Sequence, residues 1–133
     1  MFEDLYDEKD LEFTEHRLRV HVMTLKKSGD TESLFRLYGV LAKVLALRGN
    51  HLKAQDALND AEFLLVENHW RGSVQEIWCH LDRAEVFQAL GRAKSANRDI
   101  RKADSLYKEY MGESVKVAIE LSKKEAEALN LMD

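Results

Sequence analysis

The sequence lacks proline altogether and contains a single cysteine, Cys79. Without proline a helix has no forced kink or stop, and abundant Ala, Leu, Glu, Lys and Arg favour long helices. One cysteine excludes an intramolecular disulfide, which fits a reducing compartment. No stretch reaches the roughly 18 apolar residues of a membrane-spanning helix, and the acidic start is unlike a secretory signal. These absences predict an all-α, cytoplasmic protein with no membrane partner.

The charge distribution argues against nucleic acid as a partner. The formal net charge is −4 at pH 7, and acidic residues dominate the first 15 positions. No run of Lys or Arg is dense enough to gain much free energy by releasing counterions from a phosphate backbone.

A chain of 133 residues can bury one core but is too short for two domains, so we expect a single domain over residues 1–133.

Glycines and apolar periodicity divide the chain into six predicted helices. Every glycine except Gly39 stands where a helix would need a left-handed stop. Apolar residues recur with helical spacing between these stops, and the helices over 10–27 and 114–130 are expected to flank the others. The expected N-caps are Asp7 or Asp10, Asp30 or Thr31, and Ser73 in a capping box with Glu76.

One pattern occurs twice, 42 residues apart. The matching pairs are Ala42/Ala84, Val44/Val86, Gly49/Gly91, Ala54/Ala96, Ala61/Ala103, Leu64/Leu106 and Glu67/Glu109. Small residues at a fixed offset mark places where one helix approaches another. The recurrence therefore predicts the same helix pair built twice, at about 34–67 and 76–109. A plain six-helix bundle with coincidental spacing is the alternative.

The first copy resembles a tetratricopeptide (TPR) repeat. The residues that carry the resemblance are Tyr38, Leu41, Ala42, Leu45, Gly49, Asn50, Ala54, Leu58 and Ala61. The second copy keeps Ala84, Phe87, Gly91, Ala96, Ile100 and Ala103. His80 and Arg83 stand where the family has an aromatic and an aliphatic residue. The long period is similar to that of the long TPR variants in kinesin light chains and some bacterial regulators, and the resemblance implies an α-solenoid of stacked helix hairpins.

A TPR-like stack implies a concave groove, lined by the first helix of each pair, in which the family holds peptides or helices of partner proteins. The groove residues that bind the partner by this alignment are Arg36, Lys43, Trp78, Asp82 and Glu85. The two basic residues could pair with acidic groups, and Trp78 could act as an anchor. Gly39 would leave room for a ligand backbone.

Each of these roles has a structural alternative. Trp78 could equally be buried against a neighbouring helix. Arg36 and Lys43 could be an ordinary solvated pair of charges. Arg83, on an otherwise apolar side, needs a carboxylate partner or a ligand, and a structural salt bridge is the favoured explanation.

The reactive residues form no catalytic pattern. The five histidines and Cys79 include no His-x-x-x-His, Cys pair or Glu-x-x-His, and no glycine stands in a phosphate-binding loop. Cys79 and His80 point about 100° apart on a helix, which excludes a nucleophile and base pair from adjacency alone. We therefore predict no enzyme activity, no metal and no cofactor.

The sequence favours a protein–protein interaction module, such as an adaptor or assembly factor. The alternative is a self-associating structural or regulatory domain, for example a homodimer. Its contact residues would be Leu121, Leu129 and Leu131, or Tyr107 and Tyr110.

Overall fold

A computed structural model describes residues 10–132, and it describes side chains as far as Gly112. These residues form five helices, α1 (Leu11–Ser28), α2 (Thr31–Leu47), α3 (His51–Glu67), α4 (Val74–Ala89) and α5 (Ala93–Met132). No strand occurs within residues 10–132. The predicted all-α class is confirmed.

The first three helices begin at side-chain caps. A carboxylate oxygen of Asp10 accepts a hydrogen bond from the Phe13 amide at 2.9 Å. Asp30 and Asn50 cap α2 and α3 in the same way, each at 3.2 Å. Such caps satisfy amides that have no partner within the helix, so short polar residues set where these helices start.

The predicted capping box at α4 is wrong. Ser73 makes no side-chain cap, because its hydroxyl donates to the backbone oxygen of Trp70. The Glu76 carboxylate accepts instead from the Gly72 amide at 3.1 Å and from Arg71 at 3.3 Å. Glu76 therefore ties the preceding loop to α4.

The predicted stop at Gly112 is also absent. Gly112 lies inside α5, which runs on to Met132, so the two last predicted helices form one continuous helix of 40 residues. A glycine in a helix costs only about 1 kcal/mol relative to alanine, and nothing after it forces a turn. The predicted helix over 114–130 is therefore the second half of α5.

The core is centred on α2. This helix packs against α1, α3 and α4, while α4 packs against α2, α3 and α5. The main hydrophobic cluster joins Leu18 of α1, Leu37 of α2, Leu58 of α3 and Val86 of α4, all no more than 1% exposed. The apolar faces of α1, α2, α3 and α4 therefore meet in one cluster.

The two copies of the repeated pattern have matching environments. The six alanines at its three small positions, 42/84, 54/96 and 61/103, are all buried. Gly49 and Gly91 both adopt left-handed backbone, with φ of +76° and +74°. The paired positions 64/106 are both half-buried, and 67/109 are both exposed. Positions chosen by sequence recurrence thus have the same burial in both copies.

Two larger apolar positions break this equivalence. Leu58 and Leu65 are 1% and 2% exposed, whereas Ile100 and Tyr107, 42 residues later, are 39% and 51% exposed. Neighbouring helices cover the first hairpin, and the same side of the second hairpin is open among the described residues. These apolar positions are therefore covered on α3 and open on α5.

Glu15 links α1 to the end of α2, and its removal should have a pH-dependent effect. Although burial would raise the pKa of Glu15, hydrogen bonds from Arg19 at 2.9 Å and Arg48 at 2.6 Å hold it below the ordinary value of 4.5. A lowered folded-state pKa stabilises the fold above the unfolded-state pKa, and this contribution is lost as pH falls through the folded-state pKa.

We expect Glu15→Gln to lower the free energy of unfolding by about 1 kcal/mol or less at pH 7, because both arginines are partly exposed. Urea unfolding at pH 7 and pH 3 measures the difference. Glu12→Gln, which changes an exposed carboxyl on the same helix, is the control. A deficit that persists unchanged at pH 3 would contradict the electrostatic explanation.

Candidate partner-binding surface

The structure brings the five predicted partner-binding residues together on one surface between α2 and α4. Arg36 and Lys43 lie on α2, and Trp78, Asp82 and Glu85 lie on α4. Contacts join the two sets, as described below. These five residues are called the α2–α4 surface from here on.

Arg36 stacks on the indole of Trp78. The guanidinium carbon lies 4.3 Å from the centre of the Trp78 ring, within the range of a cation–π contact. Trp78 is half-buried and also packs against the cluster around Phe35 and Leu65. Trp78 therefore contributes both to the core and to the α2–α4 surface. Arg36 is exposed, and stacking leaves the N–H edges of a guanidinium free for further hydrogen bonds.

Lys43 bridges two carboxylates of α4. Its ammonium nitrogen lies 3.1 Å from Asp82 Oδ1 and 2.9 Å from Glu85 Oε2. Burial alone would lower the pKa of Lys43, but the two carboxylates more than offset this and raise it. Lys43 therefore stays charged and holds α2 to α4. It is not the solvated charge that was one interpretation of the sequence.

Asp82 is the more buried of the two carboxyl groups beside Lys43. Burial raises the pKa of its carboxyl, Lys43 opposes the rise, and Glu85 adds to it. The pKa of Asp82 therefore rises mainly because the carboxyl is buried, whereas the pKa of Lys43 rises because two carboxylates lie beside it. Asp82 acts mainly in the helix contact, and Glu85, 57% exposed, is the more available acid.

Gly39 holds no ligand backbone, because Asp82 fills the space beside it. A Cβ built at Gly39 would collide with a carboxylate oxygen of Asp82 and lie 2.9 Å from its Cγ. The missing side chain therefore lets α4 approach α2 closely. The expected room for a ligand at Gly39 is taken by the protein itself.

Arg83 lies on the other side of α4 and has carboxylate partners. This agrees with the structural salt bridge favoured by the sequence. Its Nη1 lies 3.5 Å from Glu62 Oε2, and its Nε lies 3.5 Å from Asp99 Oδ1. His80 Nδ1 lies 2.9 Å from the same Asp99 oxygen. The two departures from the TPR pattern, His80 and Arg83, therefore meet at one buried aspartate.

These groups line a cavity of about 690 Å³ between α3, α4 and α5, here called the α3–α5 cavity. Sequence reasoning did not predict it. The available signal was the repeat itself, because Tyr38, Leu41 and Ala57 of the first copy become His80, Arg83 and Asp99 in the second. Three apolar-to-polar changes at one period indicate a polar site.

Cys79 also lines this cavity but offers little reactivity. Burial raises the pKa of its thiol to about 11, so the thiol stays protonated near neutral pH. Thiolates, not thiols, are the nucleophiles and metal ligands of cysteine chemistry. Within the described residues no group of three or more His, Cys, Asp or Glu could hold a metal ion. No described helix is long and apolar enough to cross a membrane.

The surface predicted for self-association is described only in part. Tyr107 and Tyr110 are 51% and 42% exposed on α5. Leu121, Leu129 and Leu131 have side chains outside the described residues.

Comparisons of the chain with protein families, curated proteins and solved structures found no match.

Proposed function

We propose that this protein is a non-enzymatic, TPR-like interaction module that binds a peptide or helix of a partner protein at the α2–α4 surface. One observation carries the proposal. Five residues chosen by repeat alignment from two helices lie together, and Arg36, Trp78 and Glu85 remain accessible there. A cytoplasmic location and action as an adaptor or assembly factor belong to the same proposal.

The solenoid part of the proposal has separate support. The paired alanines are buried in both hairpins, and both hairpins turn at a left-handed glycine. Small residues at equal offsets allow two helix pairs to pack in the same way. Two equivalent hairpins, with α1 against the first, therefore fit a short stack better than a bundle with coincidental spacing.

The chemistry of the surface fits a peptide with an apolar side chain between charged ones. Trp78 and Leu81, which is 41% exposed, offer apolar contact on α4. Arg36 has no carboxylate within 4.0 Å among the described residues, so its N–H groups can bind an acidic side chain or carboxylate. Glu85 can accept from a basic side chain. Aromatic and arginine anchors dominate many protein interfaces.

A selection from a peptide display library tests this function. We expect wild type to enrich a peptide class, and Trp78→Ala and Arg36→Ala each to weaken binding of the enriched peptide at least tenfold. Lys43 is kept, since Lys43→Glu would place a third carboxylate beside Asp82 and Glu85. Fluorescence anisotropy with the synthetic peptide gives the dissociation constants.

The matched controls are Phe63→Ala and Arg92→Ala, which remove an exposed aromatic side chain of α3 and an exposed arginine before α5. Neither residue lies on the α2–α4 surface, so we expect both variants to bind as wild type does. Circular dichroism checks that all four variants keep their helices. Equal binding by the surface variants and the controls would contradict the proposal, as would the absence of any enriched peptide.

Self-association is the second candidate, favoured by the exposed aromatic rings of Tyr107 and Tyr110 on α5. Sedimentation of the wild-type chain over a range of concentrations distinguishes it from the peptide-binding module. A dimer that dissociates when both tyrosines are replaced by serine would favour self-association.

A further inference from the structure

The α3–α5 cavity lies on the opposite side of α4 from the α2–α4 surface. On a helix that turns about 100° per residue, the mean direction of Cys79, His80 and Arg83 lies about 140° from that of Trp78, Asp82 and Glu85. The cavity is open to solvent, and its volume is within the range of small-molecule sites. It is therefore a second, separate candidate site.

Each carboxylate in this cavity already has two N–H donors within 4.0 Å, as hydrogen bonds or ion pairs. Glu76 accepts from the Gly72 amide and Arg71, at 3.1 and 3.3 Å. Glu62 lies 3.5 Å from Arg83 and 4.0 Å from Arg71. Asp99 lies 2.9 Å from His80 and 3.5 Å from Arg83. All three carboxylates of the lining therefore already have partners within the protein.

The positive charges are in excess. Five cationic and three anionic side chains line the cavity, a surplus of two positive charges with neutral histidine. Arg98, Arg101 and Lys102 have no carboxylate within 4.0 Å among the described residues. Their spacing of three and four residues places them on one face of α5, together with the Ser105 hydroxyl. Three unpaired cations and a hydroxyl therefore face the same space.

Arg83 adds a buried donor that lacks an acceptor. Its Nε is inaccessible to solvent and makes no hydrogen bond, since the 3.5 Å approach to Asp99 does not have hydrogen-bond geometry. Burying a hydrogen-bond donor without an acceptor costs free energy of folding. An oxyanion in the cavity would supply negative charge to the whole guanidinium group and compensate part of this cost.

The equivalent cavity of the first hairpin gives an internal comparison. A cavity of about 490 Å³ lies between α1, α2 and α3 and includes Asp56 and Asp60 in its lining. Forty-two residues later these two acids are replaced by Arg98 and Lys102. The side chains at these two repeat positions are therefore acidic in the first hairpin and basic in the second, although Arg19, Lys26 and Lys53 also line the first cavity.

We propose that the α3–α5 cavity binds a small multivalent oxyanion, a metabolite bearing phosphate or several carboxylates, through Arg98, Arg101, Lys102 and Arg83. Charge-assisted hydrogen bonds from guanidinium groups to such oxyanions are short and often bidentate, and lysine adds a point charge. This site is independent of the proposed peptide-binding function, because the two surfaces share α4 but no residue.

Titration with two simple probes tests the site. Inorganic pyrophosphate and citrate are added separately to isotope-labelled protein at constant ionic strength, and amide chemical shifts are followed by NMR. We expect saturable shifts in the segments around 80–83 and 98–106 for at least one probe. Saturation by pyrophosphate alone assigns a phosphate ligand, and saturation by citrate alone assigns a polycarboxylate. Saturation by both supports the shared oxyanion chemistry.

The double variant Arg98→Gln, Lys102→Gln should weaken that binding at least tenfold. Its matched control, Arg92→Gln with Lys94→Gln, removes the same charge from exposed residues outside the cavity lining and should bind as wild type does. Amide spectra of both variants show whether the fold is kept. Lack of saturation with both probes, or equal weakening in the variant and its control, would overturn the proposal.

Discussion

Replacing Leu58 by alanine should lower the free energy of unfolding by about 2–5 kcal/mol. Leu58 is 1% exposed and belongs to the cluster that joins α1, α2, α3 and α4. Its loss removes buried apolar surface and leaves a cavity that four packed helices cannot fully close. Urea unfolding followed by circular dichroism measures the change, which is a large fraction of the stability of a small domain.

Ile100 provides the matched control, because it holds the same position one period later but is 39% exposed. Ile100→Ala removes a similar side chain from an open position, so we expect a loss of about 1 kcal/mol or less. Similar losses at both positions would contradict the open edge at the second hairpin. They would indicate that something outside the described residues, or a second copy of the chain, covers Ile100.

Gly39→Ala should be the other strongly destabilising change. Overpacking of this kind costs about 1–3 kcal/mol, while the better helix propensity of alanine returns about 1 kcal/mol. The clash should prevail, because Asp82 Cγ would lie 2.9 Å and Cβ 3.6 Å from the new methyl group. Asp82 could turn away only by giving up its contact with Lys43. We expect a net loss of up to about 2 kcal/mol by urea unfolding.

Two comparisons isolate the cause of this loss. Gly112→Ala changes a glycine that also lies within a helix but has open space around it, so it should stabilise the protein by up to about 1 kcal/mol. In an Asp82→Ala background, Gly39→Ala should no longer destabilise, since the carboxylate is gone. A stabilising effect of Gly39→Ala in the wild-type background would contradict the close approach of α2 and α4.

The candidate surface was predictable in its membership and not in its internal contacts. Repeat spacing and the TPR resemblance selected Arg36, Lys43, Trp78, Asp82 and Glu85, and these residues do lie together. Their pairing could not be predicted, because it depends on how closely α4 approaches Gly39. Whether they bind a partner stays a prediction that the peptide selection tests.

The α3–α5 cavity shows the opposite case. Arg98, Arg101 and Lys102 look in sequence like ordinary surface charges of a helix. Their significance comes from Glu62, Glu76 and Asp99, which are distant in sequence and already occupied by other donors. The charge surplus arises only where α3, α4 and α5 meet in the fold, so no single segment of the sequence shows it.

What the sequence determined by itself is local. Absent proline, short polar caps and glycine stops specify helices, and the 42-residue recurrence marks the buried alanines of two hairpins. Tertiary structure decided what depends on distant neighbours: the continuity of α5 through Gly112, the Asp82 carboxylate beside Gly39, and the exposure of Ile100 where Leu58 is buried. Helix formation depends on residues three or four positions apart, whereas burial and charge balance depend on which helices pack together.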